Sequence, residues 1–264
     1  MIGLALDAHP RLPLVIAANR DEFFDRPAAP LDWWRTAPSA PWLLGGRDLS
    51  AGGTWMALSE HGRIGMLTNV RDLPRHRIDA PSRGELVTAW LDGREPGAHG
   101  QNPFNLIGGD LQSGRWWWRS DRRATMPLAA GVHALSNAAL NDPWPKVRRL
   151  SAAMQDALRG DDAGLEARLY ELLDERHVAA DAELPDTGIG IDRERMLSPI
   201  FITTPDGRYG TRCSTVVLGQ RGDDGWRLNV IERTHGPLGR MTRERRVTLQ
   251  HWPQPGQRPP ITSA

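Results

Sequence analysis

The stretch Leu14-Val15-Ile16-Ala17-Ala18-Asn19-Arg20-Asp21-Glu22 passes without a break from five apolar residues to four polar ones. A second apolar run, Ile2-Gly3-Leu4-Ala5-Leu6, precedes it across a turn at His9-Pro10-Arg11. Nearly continuous apolar runs of this length read as short strands buried on both faces. A strand that ends in Asn-Arg-Asp-Glu carries four hydrogen-bonding side chains to the end of a sheet, where they can enter a site.

Outward from this hairpin, the Pro- and Trp-rich segment from Arg26 to Gly45 reads as a long loop, a feature more often functional than accidental. The glycine pairs Gly45-Gly46 and Gly52-Gly53 bracket a turn and lead into strands near Thr54–Leu58 and Arg63–Asn69. Ser82-Arg83-Gly84-Glu85 has the spacing of a capping box, and Leu86, Val87, Trp90 and Leu91 then share one helical face. Phe104–Gly109 and Arg115–Arg119 form a predicted hairpin. Trp144, Val147, Leu150, Met154 and Leu158 have helical spacing, as do Leu165, Leu169, Leu172 and Leu173. These predict an antiparallel helix pair in mid-chain. Strand character returns at Ile200–Thr203, Tyr209–Leu218 and Trp226–Glu232, and residues 252–264 read as an irregular Pro-rich tail. Consecutive strands are spaced as hairpins, so the expectation is a single α+β domain over residues 1–264, with antiparallel sheets and helices packed outside them.

Composition narrows the function classes. The net charge of +1 gives no bulk field for nucleic acid or an anionic membrane. Of 33 basic residues only Lys146 is a lysine, a bias that reads mainly as composition spread over the surface. The eleven tryptophans cluster at Trp33-Trp34 and Trp116–Trp118; core packing is roughly twice as common a role for each as lining a pocket. Cys213 is the only cysteine, so an intrachain disulfide is excluded and a cytoplasmic location is expected. No apolar run reaches the ~18 residues of a membrane span.

Five polar clusters stand at strand ends or turns: Asn19–Glu22, Gly45–Asp48, Thr68-Asn69, Leu135–Asn137 and Gly210–Thr215. A single cluster of this kind is usually a solvated turn, but these abut apolar strands, and buried charges need partners. Asp21 with Arg20 or Arg212 is the expected pairing. No metal site is predicted: the histidines are scattered without His-x-x-x-His, and Cys213 stands alone. Phosphate-loop, dinucleotide and Gly-x-Ser-x-Gly patterns are absent.

Taken in order, Asn19-Arg20-Asp21-Glu22-Phe23, Gly46-Arg47-Asp48, Gly52-Gly53-Thr54-Trp55, Leu67-Thr68-Asn69, Ser82–Leu86, Phe104-Asn105-Leu106, Leu135-Ser136-Asn137 with Trp144-Pro145-Lys146, and Gly210–Thr215 resemble the NRDE family, also called the Transport and Golgi organisation protein 2 family. The similarity spans nearly the whole chain. It implies the four-layer αββα sandwich of N-terminal nucleophile hydrolases. By that resemblance, Arg20 and Asp21 match the pair that orients a nucleophilic thiol, Asn69 and Asn137 the oxyanion donors, and Arg212 a later arginine of the site. Asn19, Glu22, Arg47 and Trp55 are expected to contact ligand. An arginine beside a thiol favours thiolate, and fixed amide donors stabilise an oxyanion.

One feature departs from the family pattern. Members typically begin Met-Cys, whereas this chain begins Met1-Ile2-Gly3. The family cysteine would fall just before Met1, so either a cysteine lies upstream or the nucleophile has been lost. The first functional expectation is therefore binding or trafficking of a hydrophobic metabolite, haem or an acyl-lipid or acyl-coenzyme A, with no cofactor required. The alternative is an amidohydrolase using the upstream cysteine on an amide-containing ligand. A pure interaction protein would not need polar groups converging from separate strands.

Overall fold

β1 (Ile2–Leu6) and β2 (Leu14–Phe23) form the expected hairpin in the computed structural model, which describes residues 1–97 and 100–256. Every residue of β1 is buried, as is β2 from Leu14 to Asn19. The hairpin sits inside a six-stranded sheet rather than at its edge. On one side β1 pairs with β10 (Gly131–Leu135). On the other, β2 pairs with β11 (Tyr209–Gly222), followed by β12 (Gly225–His235) and β13 (Met241–Trp252). The second sheet has seven strands in sequence order: β3 (Ala28–Trp34), β4 (Leu43–Asp48), β5 (Met56–Ser59), β6 (Arg63–Asn69), β7 (Phe104–Asp110), β8 (Arg115–Ser120) and β9 (Arg123–Pro127). All their pairings are antiparallel.

Three apolar layers make the expected αββα order. Between the sheets lie Leu4, Ile16, Leu58, Met66, Ile107 and Trp118, with others. The opposite face of the first sheet, carrying Ala5, Val15, Ala17 and Val216, packs on α2 (Pro145–Arg159) and α3 (Leu165–Leu173). The outer face of the second sheet packs on α1 (Gly84–Leu91) through Leu86, Val87 and Leu91. Alternate residues of a strand face opposite layers, which is why β1 and β2 must be apolar throughout. In α2, Pro145 occupies the first helical turn, where its missing N–H costs nothing, and Val147, Leu150, Met154 and Leu158 give the buried stripe. A short α4 (Ile191–Met196) lies in the connection to β11.

Three local expectations are corrected. The 26–45 segment is not an extended loop, because it contains β3 and the start of β4. Pro30 masked β3; it sits within a register shift between Ala29 and Asp32 on an edge strand, where a missing N–H leaves no ladder bond unmade. Ile200–Thr203 is not a strand, and makes only an isolated bridge from Thr203 to Gly210. Residues 241–252, unassigned from sequence, form the edge strand β13. Its six residues Met241–Arg246 hold four charges and only Val247, Leu249 and Trp252 are buried, so apolar alternation is weak where an edge keeps charge against aggregation. Trp252 thus closes a strand, its ring tilted against Trp33 with centroids 5.6 Å apart; most of the expected tail lies outside the described residues.

Candidate functional site

Period-two alternation sorts the Asn-Arg-Asp-Glu run onto two faces. Asn19 and Asp21 point toward the helical layer, Arg20 and Glu22 toward the second sheet. Asn19 is buried and its hydrogen bonds are internal: the amide donates to the carbonyls of Leu173 and Ile200 (2.8 and 3.0 Å), and its oxygen accepts from Ser214 Oγ at 2.7 Å. It ties β2 to α3 and to β11. Asp21 Oδ1 accepts from Thr211 Oγ1 at 2.6 Å.

The expected pairing of Asp21 with Arg20 or Arg212 is not formed. Arg20 lies on the other face of the strand. Arg212 is the extra residue of a bulge, since Thr211 pairs with Asp21 and Cys213 with Arg20. Its guanidinium donates to the carbonyls of Phe23 and Arg26 at 2.8 and 2.7 Å and lies over Phe24, bracing the turn after β2.

A cavity of about 640 Å³ opens at this end of β2. Arg20, Asp21, Glu22, Trp55, Asn69 and Asn137 all line it, as do Met1 and Ile2. Arg47 and Arg212 are not among its lining residues; Arg47 lies over the Trp34 ring at 4.9 Å instead. The site therefore gathers seven of the nine residues expected from sequence, Asn19 included.

The far wall comes from β6 and β10, which belong to different sheets. Thr68 Oγ1 donates to the Ser136 carbonyl (2.6 Å), Asn137 Nδ2 donates to the Asn69 carbonyl (2.9 Å), and the Arg71 N–H donates to the Asn137 carbonyl (2.8 Å). Asn105, fully buried on β7, donates to Thr68 Oγ1 and to the Ala138 carbonyl, and accepts from Trp118 Nε1 at 3.2 Å. These bonds pin the two sheets together where the cavity begins. The Asn69 side chain is exposed toward the cavity without a partner among the described residues.

Sequence reasoning missed Arg71, Arg83 and Tyr209 as lining residues. Arg71 pairs with Glu194 at 2.7 Å, and burial lowers its pKa against the opposing pull of that carboxylate. Arg83 precedes α1, where Gly53 and Gly84 pass so closely that a Cβ on Gly53 would meet the Gly84 carbonyl carbon at 2.7 Å. Arg83 stood in the Ser82–Leu86 motif, yet one arginine among so many carries no distinguishing signal.

Beneath the cavity, Lys146 is buried with Nζ donating to the Leu197 carbonyl at 2.9 Å. Burial lowers its pKa to about 8, while Asp21 pulls it upward. Cys213 is also buried, and burial raises its pKa well above the usual thiol range, the reverse of an activated nucleophile. Ser82 Oγ in the cavity accepts from the Gly84 N–H at 3.2 Å. A Ser–His contact exists, Ser214 Oγ to His235 Nε2 at 3.0 Å, but it is buried under the first sheet. Among the described residues, no group of three or more His, Cys, Asp and Glu side chains could hold a metal ion, and no helix is long and apolar enough to cross a membrane.

The chain belongs to the Transport and Golgi organisation 2 family, whose model matches residues 1–237. It is 34% identical over 236 residues to the Bos taurus Transport and Golgi organization protein 2 homolog, covering 78% of this chain and 81% of that protein. It is 31% identical over 232 residues to the Mus musculus homolog, with the same coverage. The Drosophila melanogaster Transport and Golgi organization protein 2 is 25% identical over 272 residues, covering 89% and 91%. Among solved structures, a Caenorhabditis elegans N-acylethanolamine-hydrolyzing acid amidase ortholog matches with TM-score 0.45 at 13% identity, covering 82% of this chain and 92% of that one. A mutant conjugated bile acid hydrolase from Clostridium perfringens matches with TM-score 0.44 at 10% identity, covering 93% and 91%.

Proposed function

We propose that this family member binds or carries a small hydrophobic metabolite, of the haem or acyl-lipid and acyl-coenzyme A type, in the cavity at the end of β2. The observation that carries the reading is the cavity itself. Its 640 Å³ falls within the ~300–1,000 Å³ of small-molecule sites. Its polar interior passes to a rim that holds Leu73, 49% exposed, and Ile78, 100% exposed. Apolar side chains left in water beside a polar cavity suit a ligand with a polar head and an apolar body. His76, exposed on the same rim, is the one histidine among the lining residues and would be the side chain to hold the iron if haem is the cargo. The unbonded thiol of Cys213 suits a reducing compartment such as the cytoplasm.

The test is calorimetric titration of the full chain with haemin and with palmitoyl-coenzyme A. Saturable one-to-one binding of either, weakened by Ile78→Asp, supports carriage; loss of the haem signal in His76→Ala identifies haem as cargo. Failure of both ligands to bind sinks the reading.

A second reading, a cysteine amidohydrolase with its thiol immediately before Met1, draws on register. Ile2 pairs with Ala18, so β1 extended by two residues from Ile2 would set that side chain opposite Arg20. Arg20, Asn69 and Asn137 would then stand as thiol partner and oxyanion donors. A chain bearing an N-terminal cysteine ahead of Met1 should release the amine from a fatty-acid amide. If it releases none while still binding ligand, carriage stands alone.

A further inference from the structure

Two guanidinium groups of the cavity lack the hydrogen-bonded carboxylate that Arg26 and Arg71 have. Arg26 is paired with Asp48 through contacts of 2.9 Å, and Arg71 with Glu194 at 2.7 Å. Arg20 is different. Its side chain is only 8% exposed, yet its nearest carboxylate oxygen, on Glu22, is 3.9 Å away, beyond hydrogen-bond reach. It stacks on Trp55 at 4.2 Å, and no hydrogen bond holds it among the described residues. A buried guanidinium with five N–H donors and no acceptor is costly unless something else supplies one.

Arg83 stands on the same cavity. It donates a single bond, Nη1 to the Pro103 carbonyl at 3.2 Å, and forms no ion pair among the described residues. Burial lowers its pKa, so the charge is held at a cost. The start of α1 adds little of its own, because the Gly84 and Glu85 N–H groups are taken by Ser82 Oγ and the Ser82 carbonyl. Recognition therefore falls to the side chains.

None of the carboxylates facing these two arginines accepts a hydrogen bond from them among the described residues. Glu22 is shared: it lies 3.9 Å from Arg20 and 3.8 Å from Arg26, and it opposes the burial effect on Arg83. Glu232, buried below Arg20, spends Oε1 on the Leu31 N–H at 2.7 Å and Oε2 on Thr215 Oγ1, so it attracts Arg20 only from a distance without accepting from it; burial raises its pKa while Arg20 pulls it down. Cys213 is un-ionised there, and Arg212 adds a further positive field. Asp21 faces the opposite layer, toward Thr211 and Lys146.

From these open donors on one cavity we infer that Arg20 and Arg83 together clamp one oxyanion of the ligand, a carboxylate or a phosphate, with the apolar body leaving past Leu73 and Ile78. The assignment rests on the ligand-carrying reading above and names the head group it takes. Planar forks suit both oxyanions, and stacking on Trp55 keeps the Arg20 fork in one orientation. The cation is positioned before the ligand arrives, so little ordering is needed at binding.

The experiment uses the full chain and three probes of equal length: dodecanoate, monododecyl phosphate and dodecanol, titrated by calorimetry into wild type, Arg83→Gln and Arg20→Gln. Both anions are expected to bind wild type more tightly than the alcohol. Each substitution is expected to weaken anion binding about tenfold or more, as for a lost charge-assisted hydrogen bond, and to leave the alcohol unchanged. The tighter anion identifies carboxylate or phosphate as the natural head group. If Arg20→Gln melts early, the half-buried Arg83→Gln decides the matter. Equal affinity for alcohol and anions, or equal weakening of both in Arg83→Gln, overturns the clamp while the carriage reading survives. Binding of palmitoyl-coenzyme A or haemin without binding of either dodecyl anion overturns the clamp as well. Absence of binding by every ligand overturns both.

Discussion

Arg71→Met offers a quantitative test of how the cavity wall is held. The Arg71 Nη1 to Glu194 Oε2 contact is 2.7 Å, with side chains 13% and 4% exposed. The pair joins the residue two beyond β6 to α4, across 123 positions of sequence, while the Arg71 N–H holds the Asn137 carbonyl. Removing the guanidinium leaves a buried carboxylate whose remaining donors are the Thr187 N–H at 3.0 Å and the Thr187 hydroxyl. Breaking one partner of a buried pair costs ~3–5 kcal/mol. Because Thr187 stays, the low end applies, about 3 kcal/mol, which corresponds to a fall in Tm of roughly 6–12 °C at ~2–4 °C per kcal/mol for a chain of this size. Replacing both partners, as Arg71→Met with Glu194→Leu, removes the orphaned charge and is expected to lie within about 1 kcal/mol of wild type. Urea denaturation followed by tryptophan fluorescence measures Arg71→Met, the Glu194→Leu single variant and the double variant. A loss below about 1 kcal/mol in Arg71→Met, or a double variant whose loss equals the sum of the singles, would refute the argument that this pair is desolvated and coupled.

Three further outcomes are expected. Gly46→Ala places a Cβ 2.1 Å from the Trp55 ring, so it should push Trp55 off Arg20, cost ~1–3 kcal/mol in stability and weaken ligand binding; unaltered binding would show that the stack is dispensable. Asn137→Ala removes the bond to the Asn69 carbonyl (2.9 Å) at a half-exposed position, so it should cost no more than ~1.5 kcal/mol in a thermal melt while altering ligand affinity. His235 is held neutral, with burial lowering its pKa to about 4 from the ordinary 6.5. The unfolded chain therefore binds a proton between those values that the folded chain does not, so this residue's share of stability is lost as pH falls from about 6.5 toward 4. Comparing His235→Asn with wild type at pH 7 and pH 4.5 checks this: the gap between them should narrow or reverse at the lower pH.

Much of the architecture was legible because local rules govern it. Continuous apolar runs at 2–6 and 14–18 mark strands covered on both faces, and helical spacing at Trp144–Leu158 marks a helix with one covered face. The elements that escaped are those whose pattern is set by position in a sheet. β3 carries Pro30 because it is an edge strand with a register shift, and β13 carries its arginines because nothing pairs beyond it. Neither property can be read until the neighbours are known.

The site divides in the same way. The sequence by itself determined the family, the presence of an Asn-Arg-Asp-Glu run at the end of a buried strand, and the motifs that supply Asn69, Asn137 and Trp55. Tertiary structure alone decided which of those side chains meet. Alternation along β2 turned Asn19 and Asp21 to one layer and Arg20 and Glu22 to the other, and a single bulge carried Arg212 out of the ladder. It also brought Arg71 and Arg83 to the cavity and left Arg20 without an acceptor. Charge pairing is a property of distance in space, and side chains adjacent in a strand face opposite ways, so no order of residues could reveal which arginine remains without a hydrogen-bond acceptor.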